Sequence, residues 1–351
     1  MRLALICPSN RLYMPYVKNY ETILIEQKIE YDIVNWDRFQ IEAIDENTYR
    51  DRKTGHQRGY LDYLAYKNFI VKRLKKQNYD KIIVFGIQLA YMLKNLLEKE
   101  YTREYVLDIR DYHILSRFFR LMNIIEKSSF VVLSSPGFIE WLPPSGQYVI
   151  NHNIQIDNIE EMKITENNWD KERITIANIG ATRDLSVQRD FIYSLQNNDN
   201  FRLNYHGEGD GNQELLAFIE NNKINNVLLT GRYYPEEEAQ LYKESDLINV
   251  LRYNDGINNK TALPNRLYNA MMYGKPLLAY KETYLAEIIS SNDMGMVLHS
   301  FEDIEKDILH FINQFNPSTY DNGRKKYMEK VIQENKHFEE SVRLFIKCCN
   351  S

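Results

Sequence analysis

Short apolar runs alternate with amphipathic stretches along most of the chain. Runs at 2–8, 31–36, 81–86, 105–108, 130–135 and 148–153 are apolar enough to be strands buried on both faces. Between them, 14–28, 60–77, 87–100 and 114–127 carry apolar residues at helical spacing. Residues 40–59 are polar and read as irregular. Residues 154–172 are acidic and aperiodic, which predicts a linker at 156–172. The alternation then restarts, with strands at 174–180, 201–207, 227–231, 246–251 and 277–280. Helices are predicted at 187–197, 213–222 and 235–244, and a long charged one at 321–347. Strands alternating with helices predict doubly wound parallel sheets, here two Rossmann-like domains at 1–155 and 173–320.

The most informative single stretch is 263–276. Pro264 suits the first helical turn, where its missing N–H costs nothing. Leu267, Ala270, Met271 and Gly274 share one face. Gly274 can take a left-handed C-terminal conformation, and Pro276 cannot continue a helix. A polar loop at 254–261 precedes this helix, so free N–H groups and the positive end of the dipole face whatever the loop encloses. Arg266 adds a permanent cation near that end.

Composition narrows the class. The chain has 351 residues, 44% apolar and 26% charged, as in an ordinary soluble protein of two domains. A net charge of −5 gives no reason to expect nucleic acid. Only Cys7, Cys348 and Cys349 occur, so neither a disulfide framework nor zinc spacing is present. A strand beginning at the first residue predicts no signal peptide, and no apolar run reaches membrane-spanning length. A cytoplasmic location is expected. Charge divides unevenly, +4 over 1–150 and −9 over the rest. The segments 70–76 and Arg117-Phe118-Phe119-Arg120 mix basic and apolar residues, as suits an anionic membrane surface reached peripherally.

Ligands of open parallel sheets bind at the carboxyl ends of the strands. The groups expected there are Ser9 and Asn10, Arg110 and Asp111, 180–183, 207–209, 231–233 and the loop before Leu263. Gly207-Glu208-Gly209-Asp210-Gly211 lacks the acid about twenty positions on that a dehydrogenase needs for its ribose. No glycine-lysine phosphate loop occurs.

Several pieces, in order, resemble the GT-B glycosyltransferases, most closely the family-4-like enzymes of bacterial capsule and exopolysaccharide synthesis. They are Ile179-Gly180-Ala181-Thr182-Arg183, His206-Gly207-Glu208-Gly209, 241–247, Leu263-Pro264-Asn265-Arg266-Leu267-Tyr268 and Gly274-Lys275-Pro276. In the first half, 106–112 and 132–138 resemble the same family. The resemblance implies two domains facing across a cleft, with a last helix that returns to the first. It also implies transfer of a sugar from a nucleotide diphosphate sugar, UDP- or GDP-linked, to a saccharide or lipid-linked acceptor. Retention of configuration is implied, with no cofactor and no obligatory metal.

On that resemblance Arg183 and Arg266 would stabilise the leaving diphosphate, and Asp111 would orient the acceptor or sugar. Gly180, Gly207, Gly209, Tyr233, Asn258, Leu263, Asn265 and Asn269 would hold the donor. Ser9, Asn10, Arg110 and His113 would lie on the acceptor side. One departure stands out. The family usually has two glutamates eight positions apart, the later one on the donor ribose; here those positions are Thr261 and Asn269. Asn269 offers a donor and an acceptor but no carboxylate. Two alternatives share the architecture: a nucleotide-sugar 2-epimerase, and a binding or scaffold protein without activity.

Overall fold

The computed structural model describes residues 1–165, 172–209 and 211–347. The chain divides into two compact units, Met1–Asn153 with Gln333–Ser351, and Ile154–Ile332. Cys348 and Cys349 lie outside the described residues.

In the first unit the elements run β1 (Arg2–Cys7), α1 (Val17–Glu26), β2 (Glu30–Trp36), β3 (Thr48–Tyr49), α2 (Tyr60–Gln77) and β4 (Lys81–Phe85). They continue with α3 (Ile87–Lys99), β5 (Tyr105–Ile109), α4 (Leu121–Lys127), β6 (Phe130–Leu133) and β7 (Tyr148–Ile150). The strands form one sheet in the order β3-β2-β1-β4-β5-β6-β7, parallel throughout. Every residue of β4, β5 and β6 is buried, which is why these strands read as unbroken apolar runs.

Two local expectations need correction. Residues 40–59 are not wholly irregular, because Thr48–Tyr49 adds an edge strand beside β2. Ion pairs from Arg50 to Asp37 and from Arg58 to Asp51 hold the surrounding polar chain. The helix expected over 114–127 is broken. A 3-10 turn covers Ile114–Arg117, and α4 begins only at Leu121. Phe119 packs edge-on against Tyr91 and the backbone leaves helical angles at Arg120 (φ −74°, ψ 79°).

The basic segment 70–76 in α2 is divided, with Lys72, Lys75 and Lys76 exposed. Ile70 and Leu74 are in the core, and Arg73 is buried and paired with Glu46. Phe118 by contrast is 70% exposed.

The second unit runs β8 (Ile174–Ile179), α5 (Leu185–Ser194), β9 (Phe201–His206), α6 (Asn212–Asn221), β10 (Val227–Gly231), α7 (Glu238–Glu244) and β11 (Leu247–Asn249). Then come α8 (Ile257–Thr261), α9 (Asn265–Tyr273), β12 (Leu277–Tyr280), α10 (Tyr284–Ser291), β13 (Gly295–Leu298) and α11 (Ile304–Gln314). Its parallel sheet has the order β10-β9-β8-β11-β12-β13. The loop expected at 254–261 thus contains a single helical turn, α8. Thr261 closes that turn by donating its hydroxyl to Ile257 O at 2.6 Å.

Helix α9 has the predicted ends. Pro264 is its N-cap residue and Gly274, at φ 66°, its left-handed C-cap. Ile156 and Met162, from the stretch read as linker, are buried in the core of this unit.

The last helix, α12 (Pro317–Lys347), serves both units. Tyr320, Tyr327, Met328 and Val331 belong to the core of the second. Phe338, Val342, Phe345 and Ile346 belong to the core of the first, where Phe338 meets Tyr20 edge-on at 5.0 Å. Glu334 pairs with the buried His152 at 2.6 Å, and the Asn335 side chain accepts from His152 N at 2.8 Å.

Candidate active site

In the second unit the strand order reverses between β8 and β11, and ligands of such sheets bind at that reversal. Arg266, in the first turn of α9, bridges it. Its Nη1 donates to Asn178 Oδ1 on β8 and, at 3.0 Å, to Asn249 O on β11. Asn249 is fixed in turn, since its Nδ2 donates to Gln188 Oε1 at 2.9 Å. Tyr205 donates to the same oxygen at 2.9 Å.

The remaining Arg266 donors, Nε and Nη2, have no partner among the described residues. Burial, then the charge of Arg252, pushes the Arg266 guanidinium down to about 10. Arg183 pushes in the same direction, and Tyr242 and Asp184 oppose it. Arg266 is still a cation at neutral pH. Mutually repelling arginines at a helix N-terminus are a place where an anion gains on every term.

Arg183 follows β8 and is exposed, with no ion-pair partner among the described residues. Its field reaches Arg266, so the fold brings together the two arginines singled out in the sequence. Beside it, Thr182 Oγ1 is buried with no hydrogen-bond partner among the described residues, as is Nδ2 of Asn178.

Gly180, Gly207 and Gly209 form the turns after β8 and β9, and these turns touch. A Cβ on Gly207 (φ 137°) would lie 2.2 Å from Gly180 O, and one on Gly209 would lie 2.4 Å from Thr182 O. Gly207→Ala is therefore expected to destabilise the second unit by about 1–3 kcal/mol. Gly256, with open space around it, should tolerate alanine within about 0.5 kcal/mol. Urea titrations of the two variants check this pair.

The other donor-side residues separate. Leu263 is buried in the core and offers no side chain to a ligand. Asn265 is exposed at the start of α9, and Asn258 is half-buried on α8. Asn269 and Tyr233 come together on a group the sequence did not single out. Asn269 Nδ2 donates to Glu238 Oε1 at 3.0 Å, and Tyr233 Oη donates to the same oxygen at 3.3 Å. So a carboxylate stands beside position 269 after all, carried by α7. Only a three-dimensional contact reveals it, since Glu238 is one of three successive glutamates on a polar segment.

In the first unit, the acceptor-side residues divide by how fully their polar groups are used. Arg110 spends all five donors internally. Nε and Nη2 hold Asp108 at 2.6 and 2.8 Å, Nη1 holds Asn151 O and Asn153 Oδ1, and Nη2 also holds Asn151 Oδ1. Asn10 is buried and similarly engaged. Its Nδ2 donates to Asp37, and its Oδ1 accepts from Arg38 N and Phe39 N.

Both residues shape the strand-end turns, and Arg110 has no donor left for a ligand. Ser9 is half-buried with no partner among the described residues, and Asp111 is exposed. His113 caps the 3-10 turn, accepting from Leu115 N at 3.2 Å, and burial holds its pKa below the usual imidazole range. Among the described residues no group of His, Cys, Asp and Glu could hold a metal ion. Among them, too, no helix is long and apolar enough to cross a membrane.

Residues 160–330, which contain the arginines, the touching glycine turns and Glu238, match the family model of the glycosyl transferases group 1. The chain has the GT-B fold. Solved structures of the same fold cover nearly the whole of it. Sucrose-phosphate synthase from Thermosynechococcus elongatus superposes with a TM-score of 0.73 at 12% identity, covering 99% of each chain. HepE from Anabaena, in complex with UDP and glucose, gives 0.62 at 16%, covering 98% of this chain and 99% of its own. The lipopolysaccharide outer core galactosyltransferase WaaB gives 0.62 at 11%, covering 97% and 99%. Identities this low carry the fold alone. Among curated proteins, none is similar in sequence.

Proposed function

We propose that this protein is a glycosyltransferase that moves a sugar from a nucleotide diphosphate sugar to a saccharide or lipid-linked saccharide of a surface polysaccharide. The observation that carries the reading is Arg266 at the sheet reversal. Its orientation is fixed through Nη1, while two of its nitrogens stay open beside Arg183.

When the bond from the anomeric carbon to the diphosphate breaks, negative charge grows on the leaving oxygens. Fixed cations and the N–H groups opening α9 neutralise that charge more strongly than they bind the ground state. The protein does this without a metal or cofactor. The donor is linked to UDP or GDP; UDP is favoured by HepE, which binds UDP and UDP-glucose within the same fold. Transfer proceeds with retention.

A lipid-linked acceptor suits the first unit. Leu12, Ile41, Ile44 and Phe118 are exposed in segments that follow β1, β2 and β5, all at the carboxyl end of one sheet. Arg11, Arg117 and Arg120 lie in the same segments, and Arg52 and Lys53 in the one that follows β3. Such a mixture favours an anionic lipid surface.

A thermal-shift screen with UDP and GDP is the first test. A donor nucleotide at a hundredfold excess over its Kd should raise the melting temperature by about 5–10 °C. Incubation with the matching nucleotide sugar should then release nucleotide only when an acceptor is present. An isomerised nucleotide sugar would make the protein an epimerase, and binding with neither product would make it a scaffold. Co-sedimentation with anionic vesicles at low salt tests the lipid side of the reading.

A further inference from the structure

We propose that the second unit carries a binding site for a small anionic amphiphile, a phosphate or carboxylate joined to an apolar chain, at the far ends of α7 and α9. The site is a cavity apart from the diphosphate arginines, and it does not depend on the transferase reading. Its volume is about 490 Å³, a size usual for small-molecule sites. Met162, Ile164, Ala239 and Tyr273 give it apolar walls, and Lys163, Lys243 and Lys275 add positive charge. Among the described residues no carboxylate lines it.

The walls are set by local structure. Glu238 meets Asn269 and, one turn further along both helices, Tyr242 stacks on Tyr273 with ring centres 4.8 Å apart. Helices α7 and α9 therefore run side by side in one direction. The segment before β8 is fastened beside the end of α9. Lys163 N donates to Met272 O at 2.8 Å, and Lys163 O accepts from Nη2 of the buried Arg324 at 2.7 Å. Gly274 lets that segment come close, since a Cβ there would lie 3.0 Å from Thr165 Cα. These walls are in place before any ligand arrives. Tyr273 closes α9 seven positions after Arg266, about 10 Å along the helix axis.

Charge and polarity define the ligand. Lys163 and Lys243 are exposed, with no ion-pair partner among the described residues. Lys275 is buried, and its Nζ donates to Lys243 O at 3.3 Å, at the negative end of α7. Ile164 is 82% exposed, so an apolar residue meets water at the cavity. Apolar walls favour an apolar body, and three ammonium groups favour an acidic head. The wider charge selects a single molecule over a membrane. The chain beyond residue 150 carries −9, which opposes an extended anionic surface. A ligand in the cavity feels mainly the lysines, because salt at 0.1 M screens charges beyond about 10 Å.

The experiment is calorimetric titration of the full chain with octyl phosphate, octanol, inorganic phosphate and anionic lipid vesicles. Octyl phosphate should bind once per chain, about tenfold more tightly than octanol and about a hundredfold more tightly than inorganic phosphate. Replacing Lys163 and Lys243 together by glutamine should weaken octyl phosphate by about tenfold and leave octanol unchanged. Ala239→Phe, at an exposed position of α7, should fill the cavity and abolish binding of both. Thermal melts verify folding, and the exposed lysine pair carries the test if the phenylalanine variant does not fold. Saturating UDP should leave octyl phosphate bound. Displacement by UDP, equal affinity for octyl phosphate and octanol, binding to vesicles alone, or full affinity in a folded Ala239→Phe protein would each overturn the site.

Discussion

Arg266→Ala should lower sugar transfer by about a hundredfold to a thousandfold at saturating donor, the loss typical of one preorganised group facing developing charge. The expectation follows from how the side chain is held. Nη1 is tied to both strands at the sheet reversal, so Nε and Nη2 are aimed before a ligand arrives. Preorganisation of this kind acts on the transition state, so the fall should appear in kcat more than in KM. Lysine at 266 should recover only part of the rate, because one ammonium cannot hold Asn178 and Asn249 while also facing the diphosphate. Melting curves for both variants separate lost chemistry from lost folding. Wild-type kcat in a folded Arg266→Ala protein would remove the diphosphate role.

Ending the chain after Ile332 should unfold the first unit and spare the second. The removed half of α12 carries Phe338, Val342, Phe345 and Ile346, all buried in the first unit's core. At about 1.5–3 kcal/mol for each buried side chain, their loss sums to about 6–12 kcal/mol. That is comparable with the entire stability of a domain of this size. The cut also strips Glu334 from His152 and Asn335 from the backbone at 152.

Hydrogen exchange reads the outcome. Amides of β1, β4 and β6 should lose protection, while those of β8 and β9 keep it. Phe338→Ala is the milder form, with an expected cost of about 3–5 kcal/mol confined to the first unit. Unchanged protection in β1 after truncation would show that the helix end is dispensable.

The strands and most helices were legible because burial on both faces of a parallel sheet forces apolar runs, and the helices between need one apolar face. Helix α9 was readable to within a residue, since Pro264 and Gly274 act through local backbone geometry. The same local reasoning put Gly180, Gly207 and Arg183 at strand ends, where ligands gather, and Arg266 in the first turn of α9.

What the pattern could not supply was who shares a hydrogen bond. Arg110 looked available until Asn151, 41 positions away, took two of its donors. Asn269 looked like the loss of a carboxylate until Glu238, 31 positions earlier, came to 3.0 Å. Arg266 gained its direction from Asn178 and Asn249, on strands that are neighbours only because the sheet reverses there. Likewise the long last helix was visible, but its division between two cores depends on which strands lie beneath it. Propensity and periodicity are properties of a segment and its nearest neighbours. Satisfaction of a polar side chain depends on the whole folded neighbourhood, and so only the tertiary structure decides it.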